Sequence, residues 1–399
     1  MVNKIFPNGW KMTTLGKVAV LNYGKGLRTE NRLSGDIPVY GSSGITGLHN
    51  KAFVNEEGYI IGRKGTVGSI YYSPLPFFPI DTVYYLTRND IQSDFNYFYY
   101  LLKTLGLDKL NFDSAVPGLN REMAYSLPII IPEDKEEQRA IARVLSSFDD
   151  KIELLREQNK TLEATAQAIF KEWFVKFNFP NDEGKPYKDS GGKMVNSEFG
   201  EIPEGWKVGR LEEIIRIQNG YAFKSEDYVT NGVSIVRTTN FNNGSIVMND
   251  VVYLTKEKAR EYEKFYIESY DFLLVMVGAS IGKSVIVPSY ILPALQNQNM
   301  WNFKPKKNNM KFYNILFLKK LVEQQLNSAS GSARDFFRKD YFYSLEVIIP
   351  NKELLVIFDH IMSKLYAKID SNYIQIQTLS AIRDILLPKL MRGELRVKF

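Results

Sequence analysis

The sequence predicts an α+β fold built twice: two globular α+β parts separated by two long helices, which pair as an antiparallel coiled coil with pseudo-two-fold symmetry. Three observations carry this prediction. Apolar residues recur at heptad spacing from Ile141 to Trp173. The same pattern returns 217 residues later, and the segments that precede the two helices share their ends.

The helices come first because their period is the clearest signal. Ile141, Phe148, Leu155, Leu162 and Ile169 form one row, and Leu145, Ile152, Asn159, Ala166 and Trp173 form the other. The span is about 50 Å at about 1.5 Å per residue, too long for its narrow seam to be buried inside a small domain. The second copy supplies a partner seam in Phe358, Met362, Leu365, Ile369, Asn372, Ile376, Leu379, Arg383, Leu386 and Leu390. Antiparallel pairing sets Asn159 on Asn372, Leu155 on Ile376, Leu162 on Ile369, Ala166 on Leu365 and Trp173 on Phe358. At the other end it sets Ile152 on Leu379, Leu145 on Leu386 and Ile141 on Leu390. An Asn–Asn layer satisfies both amides and fixes register. Phe148 against Arg383 is the poor layer and calls for a stacked or snorkelling guanidinium.

The globular parts repeat as well. Gly9-Trp10-Lys11 returns as Gly205-Trp206-Lys207, with Leu15 on Leu211 and Gly24 on Gly220, at an offset of 196. Tyr125-Ser126-Leu127 returns as Tyr343-Ser344-Leu345 at 218. The middles diverge, as expected when common ends serve an architecture and different middles serve different targets. Short β-branched and aromatic runs punctuated by glycine predict strands. One helix is expected in each part, near Phe95 to Leu105 and Lys311 to Leu326. The boundaries read as residues 1–132 for the first part, 133–177 for the first helix, 178–203 for a linker, 204–350 for the second part, and 351–399 for the second helix and tail. Rich in Gly, Pro, Asn and charge, the linker is expected to be an extended connector.

Composition narrows the function. The chain has 399 residues, 44% hydrophobic, and no cysteine, which removes disulfides and thiolate metal sites. Its two histidines, His49 and His360, lie on different repeats, against the usual metal sites. The opening MVNKIFPNGW lacks the apolar core of a signal peptide, and no run approaches a membrane span, so a cytoplasmic protein is expected. Net charge is +6. Residues 1–132 carry +3 (13 basic, 10 acidic) and residues 204–350 carry +4 (19 basic, 15 acidic). The first helix and linker, 133–203, carry −4 (11 basic, 15 acidic). Two basic globular parts fit a polyanion partner or ordinary surface charge.

Residue patterns that carry catalytic chemistry are nearly absent from the sequence. Gly62 to Gly68 and Gly278 to Ser284 are glycine loops, and the second ends Gly-Lys-Ser. A phosphate-binding P-loop needs glycine where Val277 stands, and strand signals follow where a helix should open. Tight turns between strands are expected, with Arg63, Lys64 and Lys283 available to DNA phosphates. No amino-methyltransferase motif, S-adenosylmethionine loop or Ser/His/Asp set is present. Polar clusters at strand ends are candidate base readers: Ser42, Ser43, Arg237, Thr238, Thr239, Asn240, Gln296, Asn297 and Gln298. Turn capping is the alternative for each. Lys25, Arg28 and Lys224 complete the candidate DNA-binding set, with no catalytic and no metal-binding residue.

The segments IPEDKEEQRAIARVLSSFDDKI, KEWFVKFNF, MVNSEFGEIPEGWKVGRL and LLPKLMRGELRV, with PVYGSSGITGLHN and GYIIGRKGTVG, resemble the specificity subunits of Type I restriction-modification systems over nearly the whole chain. The resemblance implies that the globular parts are DNA target recognition domains, each reading one half of an asymmetric bipartite site in double-stranded DNA. It implies a coiled coil that sets the spacing, and no active site in this chain. It further implies docking of two modification (methyltransferase) subunits that bind S-adenosylmethionine and methylate adenine, and restriction subunits that use ATP and Mg. Two relatives of this reading stay open: the specificity partner of a Type IIB-like nuclease–methyltransferase, and a coiled-coil assembly adaptor without base readout. The second copy, IPNKELLVIF, lacks the Glu-Gln pair of the first. If that pair touches a modification subunit, the two docking sites need not be equivalent.

Overall fold

The computed structural model describes residues 7–110, 118–242, 244–248, 250–278, 280–307, 310–328 and 338–398. Residues 1–6 of the opening and Ala279 of the second glycine loop lie outside them. The chain divides into two compact units, Met1–Glu153 with Gln377–Phe399, and Leu154–Ile376. This partition differs from the sequential blocks read from the sequence, because each long helix contributes one part to each unit.

Both heptad stretches are single helices, Lys135–Phe174 and Lys352–Met391, of 40 residues each. They start alike. Asp134 Oδ1 accepts the Glu136 backbone N–H at 2.8 Å, and Asn351 Oδ1 accepts that of Leu354 at 3.0 Å. The first turn holds Glu136 and Glu137 in one and Glu353 in the other, and each last turn holds a lysine, as the helix dipole favours.

In the first unit the strands Asn22–Tyr23, Val83–Leu86, Gly58–Gly62 and Ile70–Ser73 lie side by side in an antiparallel sheet. A second sheet orders Gly44–His49, Ile37–Gly41 and Phe78–Pro79, the last pair parallel. The helix Phe95–Thr104 is capped by Asp94, whose carboxylate accepts the Tyr97 N–H at 3.0 Å, and it buries its aromatic face against the first sheet. Ile141 and Leu145 join this core, as do Leu390 and Met391, with Leu386 at its edge. Ile152 is also buried, whereas Leu379 is half-buried. Phe148 is half-buried. Arg383 resolves the poor layer by turning to Asp149, 2.5 Å away, whose other oxygen accepts the Tyr100 hydroxyl at 2.7 Å.

The Glu-Gln pair, left open as a contact for a modification subunit, lies inside this unit. Glu137 and Gln138 are 1% and 3% exposed. Gln138 accepts the Asp94 N–H at 2.7 Å and donates to the Pro132 carbonyl at 2.8 Å. Glu137 holds Trp10 Nε1 at 3.3 Å and the tail residue Arg396. Both are committed inside the unit and offer no docking surface.

The second unit repeats the plan. One antiparallel sheet orders Ile215–Asn219, Met300–Pro305, Phe272–Val275 and Ser284–Ile286. The other orders Val252–Leu254, Val233–Val236, Ala294–Gln296 and Tyr266–Ile267, with the central pair parallel. The helix Lys311–Ser328 packs behind the first of these sheets. In the seam, Asn372 Nδ2 donates to Asn159 Oδ1 at 2.8 Å, and the Trp173 and Phe358 rings meet at 5.6 Å. The helices therefore run antiparallel in the expected register. Phe358, Met362, Ile369, Leu155 and Ala166 are buried, while Leu162, Ile169, Leu365 and Ile376 are half-buried at the margin. The asparagine layer is less complete than expected, since Asn372 Oδ1 is buried without a partner among the described residues.

Residues 178–203 are not an extended connector. They form the hairpin Met194–Ser197/Gly200–Pro203, and Phe179 stacks on both Tyr187 (4.5 Å) and Trp206 (5.4 Å). Burying such rings stabilises by about 1.5–3 kcal/mol each, which outweighs the loop-like composition.

Candidate nucleic-acid interface

Each unit gathers several strand ends at one rim, and the same backbone hydrogen bonds frame both rims. In the first, Ile80 N–H donates to Tyr40 at 2.9 Å, Lys25 N–H to Pro79 at 2.9 Å, and Arg63 N–H to Thr82 at 2.8 Å. In the second, Asn297 N–H donates to Val236 at 3.1 Å, Tyr221 N–H to Gln296 at 3.1 Å, and Met276 N–H to Asn299 at 3.1 Å. The supports match as well. Leu21 N–H donates to the Tyr125 hydroxyl, and Ile217 N–H to that of Tyr343, both at 2.9 Å.

Glycine is required where two rim strands cross. A Cβ on Gly24 would stand 2.0 Å from the Ile80 carbonyl oxygen, and one on Gly220 would stand 1.9 Å from that of Asn297. The glycine loops are turns between antiparallel strands, as expected. Gly65, Gly68, Gly278 and Gly282 have φ of +77°, +75°, +82° and +84°. Gly62 N–H to Ser69 and Val275 N–H to Lys283, both 2.8 Å, close equivalent turns.

This frame places the candidates at matching positions. Ser42-Ser43 follows the strand ending at Gly41, and Thr238-Thr239 lies just past Arg237 after the strand ending at Val236. Ser42 faces Gly65, and its carbonyl accepts the Ser69 hydroxyl at 2.5 Å. Ser43, Thr239, Lys64 and Lys283 are exposed, while Ser42, Thr238 and Gln298 are half-buried. Lys25 is exposed, 5.8 Å from the Phe53 ring. Arg28 and Lys224, 196 residues apart, lie beside Glu30 (3.8 Å) and Glu226 (3.3 Å) in exposed pairs worth little energy.

Three candidate base readers serve the frame instead. Gln296 is fully buried and donates to the Met300 carbonyl at 2.9 Å. Asn240, 2% exposed, accepts the Arg237 N–H at 2.9 Å. Asn297 is buried and donates to Tyr221 at 3.4 Å. Each found a backbone carbonyl or N–H within reach, across a turn for Asn240 and Gln296 and on a neighbouring segment for Asn297. Arg237 is half-buried, and its guanidinium donates to the Asp250 carbonyl.

The first rim also holds two residues that sequence reasoning passed over. Tyr23, 48% exposed, has the guanidinium groups of Arg63 (5.1 Å) and Arg121 (5.0 Å) over its ring. Beneath it Tyr84, 5.1 Å away, donates to the Leu119 carbonyl at 3.0 Å. Burial, and then Tyr23, push the Tyr84 phenol up, so it stays neutral. Tyr23 precedes the repeated Gly24/Gly220 pair, and Arg121 lies four residues before the matched Tyr125; those anchors were the available signal. The second unit has Asn219, Met276 and Lys339 at the equivalent places. Burial lowers the Lys339 ammonium pKa, and it donates to the Ile217 carbonyl at 3.2 Å. Among the described residues no cluster of three metal-ligating side chains occurs, and no helix is long and apolar enough to cross a membrane.

Comparison with known proteins agrees with this architecture. The family model for the Type I restriction modification DNA specificity domain matches residues 7–164 and again 203–380. The chain is 29% identical over 374 residues to the Type I restriction enzyme MjaIX specificity subunit of Methanocaldococcus jannaschii, covering 90% of this chain and 84% of that one. It is 24% identical over 411 residues to the MjaVIII specificity subunit of the same organism, covering 98% and 94%. The crystal structure of the Type I restriction-modification S subunit from M. genitalium shares the fold, with a TM-score of 0.60 at 17% identity over 98% of this chain and 97% of that one. A twofold match, one to each repeat, places this chain in the Type I restriction modification DNA specificity family.

Proposed function

We propose that the chain is the non-catalytic reader of an asymmetric bipartite site in double-stranded DNA, each rim reading one half. The observation that carries this is the pairing of a shared backbone frame with different side chains. Tyr23, Arg63 and Arg121 stand in one rim where Asn219, Met276 and Lys339 stand in the other. A common frame fixes how strand ends approach a duplex, and divergent side chains then select different bases.

In this reading the coiled coil sets the spacing between half-sites and docks two modification subunits. Those subunits supply S-adenosylmethionine and the adenine methyl transfer. Restriction subunits with ATP and Mg complete an endonuclease, and the assembly works in the cytoplasm. The modest charge of +6 fits a reader whose affinity is completed by its partners.

The test is methyl-adenine mapping of DNA from cells that co-express this chain with a modification subunit. A split, asymmetric motif is expected. An intact complex that methylates no defined motif would overturn the reading in favour of an assembly adaptor.

A further inference from the structure

We infer that Arg63 is a base-reading residue of the first unit and that it reads guanine. The inference deepens the proposed function and rests on it. Arg63 is held unlike a phosphate-binding lysine. Its backbone is pinned on both sides, with its N–H on Thr82 at 2.8 Å and its carbonyl accepting Leu119 N–H at 2.8 Å. Its guanidinium lies 5.1 Å from the Tyr23 ring and 5.9 Å from the Tyr84 ring. Among the described residues it has no carboxylate within ion-pair distance. Two rings orient a planar fork of donors without consuming them. An oriented, unconsumed fork matches the two acceptors, O6 and N7, on the major-groove edge of guanine.

The neighbouring cation differs. Lys64 is exposed and follows directly in the turn. It suits phosphate, which needs charge and little orientation. The second unit supports the division of labour. Met276 occupies the place of Arg63 on the same backbone frame and packs against the unit's core. The frame therefore tolerates the loss of this cation, so Arg63 is not needed to hold the rim together. Its presence in one rim alone fits a residue that selects sequence in one half-site alone.

The experiment is methyl-adenine mapping with the assembled complex carrying Arg63→Gln, Arg63→Lys or Lys64→Ala. Wild type must first yield its split motif; without one, the proposed function fails and this inference is not the cause. With Arg63→Gln, one guanine position in one half should change to adenine or become degenerate, because a carboxamide pairs with adenine. The other half should stay as it was, which also shows that the complex is folded. Arg63→Lys should broaden the same position, since the planar fork is lost while the charge is kept. Lys64→Ala should keep the motif unchanged and lower methylation evenly across its sites, as loss of a phosphate contact does. Arg63→Gln behaving like Lys64→Ala, with an unchanged motif, would overturn the inference and make Arg63 a phosphate contact.

Discussion

Arg396 closes on the buried carboxylate of Glu137 through two hydrogen bonds, Nε to Oε1 at 2.6 Å and Nη2 to Oε2 at 2.8 Å. The same guanidinium donates to the Asn8 carbonyl at 3.0 Å, so the C-terminal tail is tied to the turn before Trp10. Shifting by the repeat offsets replaces Glu137 with Leu354, Arg396 with Phe179 and Trp10 with Trp206. The second unit thus makes the equivalent closure from stacked rings and a buried leucine.

Removing one partner of the polar closure should cost more than replacing both. Glu137→Leu alone should destabilise by about 1–3 kcal/mol, because Arg396 and Trp10 Nε1 lose their acceptor. Glu137→Leu with Arg396→Phe, copying the second unit, should recover part of that loss. Urea denaturation of the four members of the cycle measures the coupling.

The Asn159–Asn372 layer trades stability for register. Replacing both by Leu should raise the thermal midpoint, since it removes the unpartnered Asn372 Oδ1 along with the amides. Replacing both by Cys should allow a crosslink between residues 159 and 372 under oxidation. A crosslink from 159 to a cysteine at 376 in its place would contradict the register.

Gly24→Ala and Gly220→Ala should each deform one rim. Their Cβ atoms would press on backbone carbonyls, which cannot swing away. A loss of about 1–3 kcal/mol or more is expected for each. In methylation mapping, each should disturb recognition of a different half-site.

Glu57 should make the first unit sensitive to acid. A hydrogen bond from Tyr72 at 2.6 Å, joined by Arg88 at 2.6 Å, holds its carboxyl below the ordinary 4.5. A carboxylate whose folded pKa is depressed stabilises fully above its unfolded value and loses that contribution as pH falls through the folded one. Tyr72→Phe should lessen the decline in stability below about pH 4.5. Glu57 keeps 25% of its side chain exposed and its partner Arg88 53%, so solvent screens the pair and the effect should be small; urea midpoints across the acid range measure it.

Much of this was legible in the residues. The heptad rows place the seam, its direction and its asparagine layer, because a coiled coil repeats one local rule. The helix at Phe95–Thr104 and the glycine turns were legible for the same reason, that their signals are local. Three things were not. The linker reads as loop because its polar bulk hides the anchors Phe179 and Tyr187. Gln296, Asn240 and Asn297 read as base-reading side chains, yet burial and nearby backbone groups decide such roles and are not local. The units cut across the helices, since an antiparallel pair joins the end of one helix to the start of the other.

The central claim is that two rims on one frame read independently. Its most direct test replaces residues 1–132 with the corresponding segment of another family member and maps methyl-adenine in cells co-expressing the modification subunit. One half of the split motif should change while the other half is kept. A motif that changes in both halves, or in neither, would contradict it.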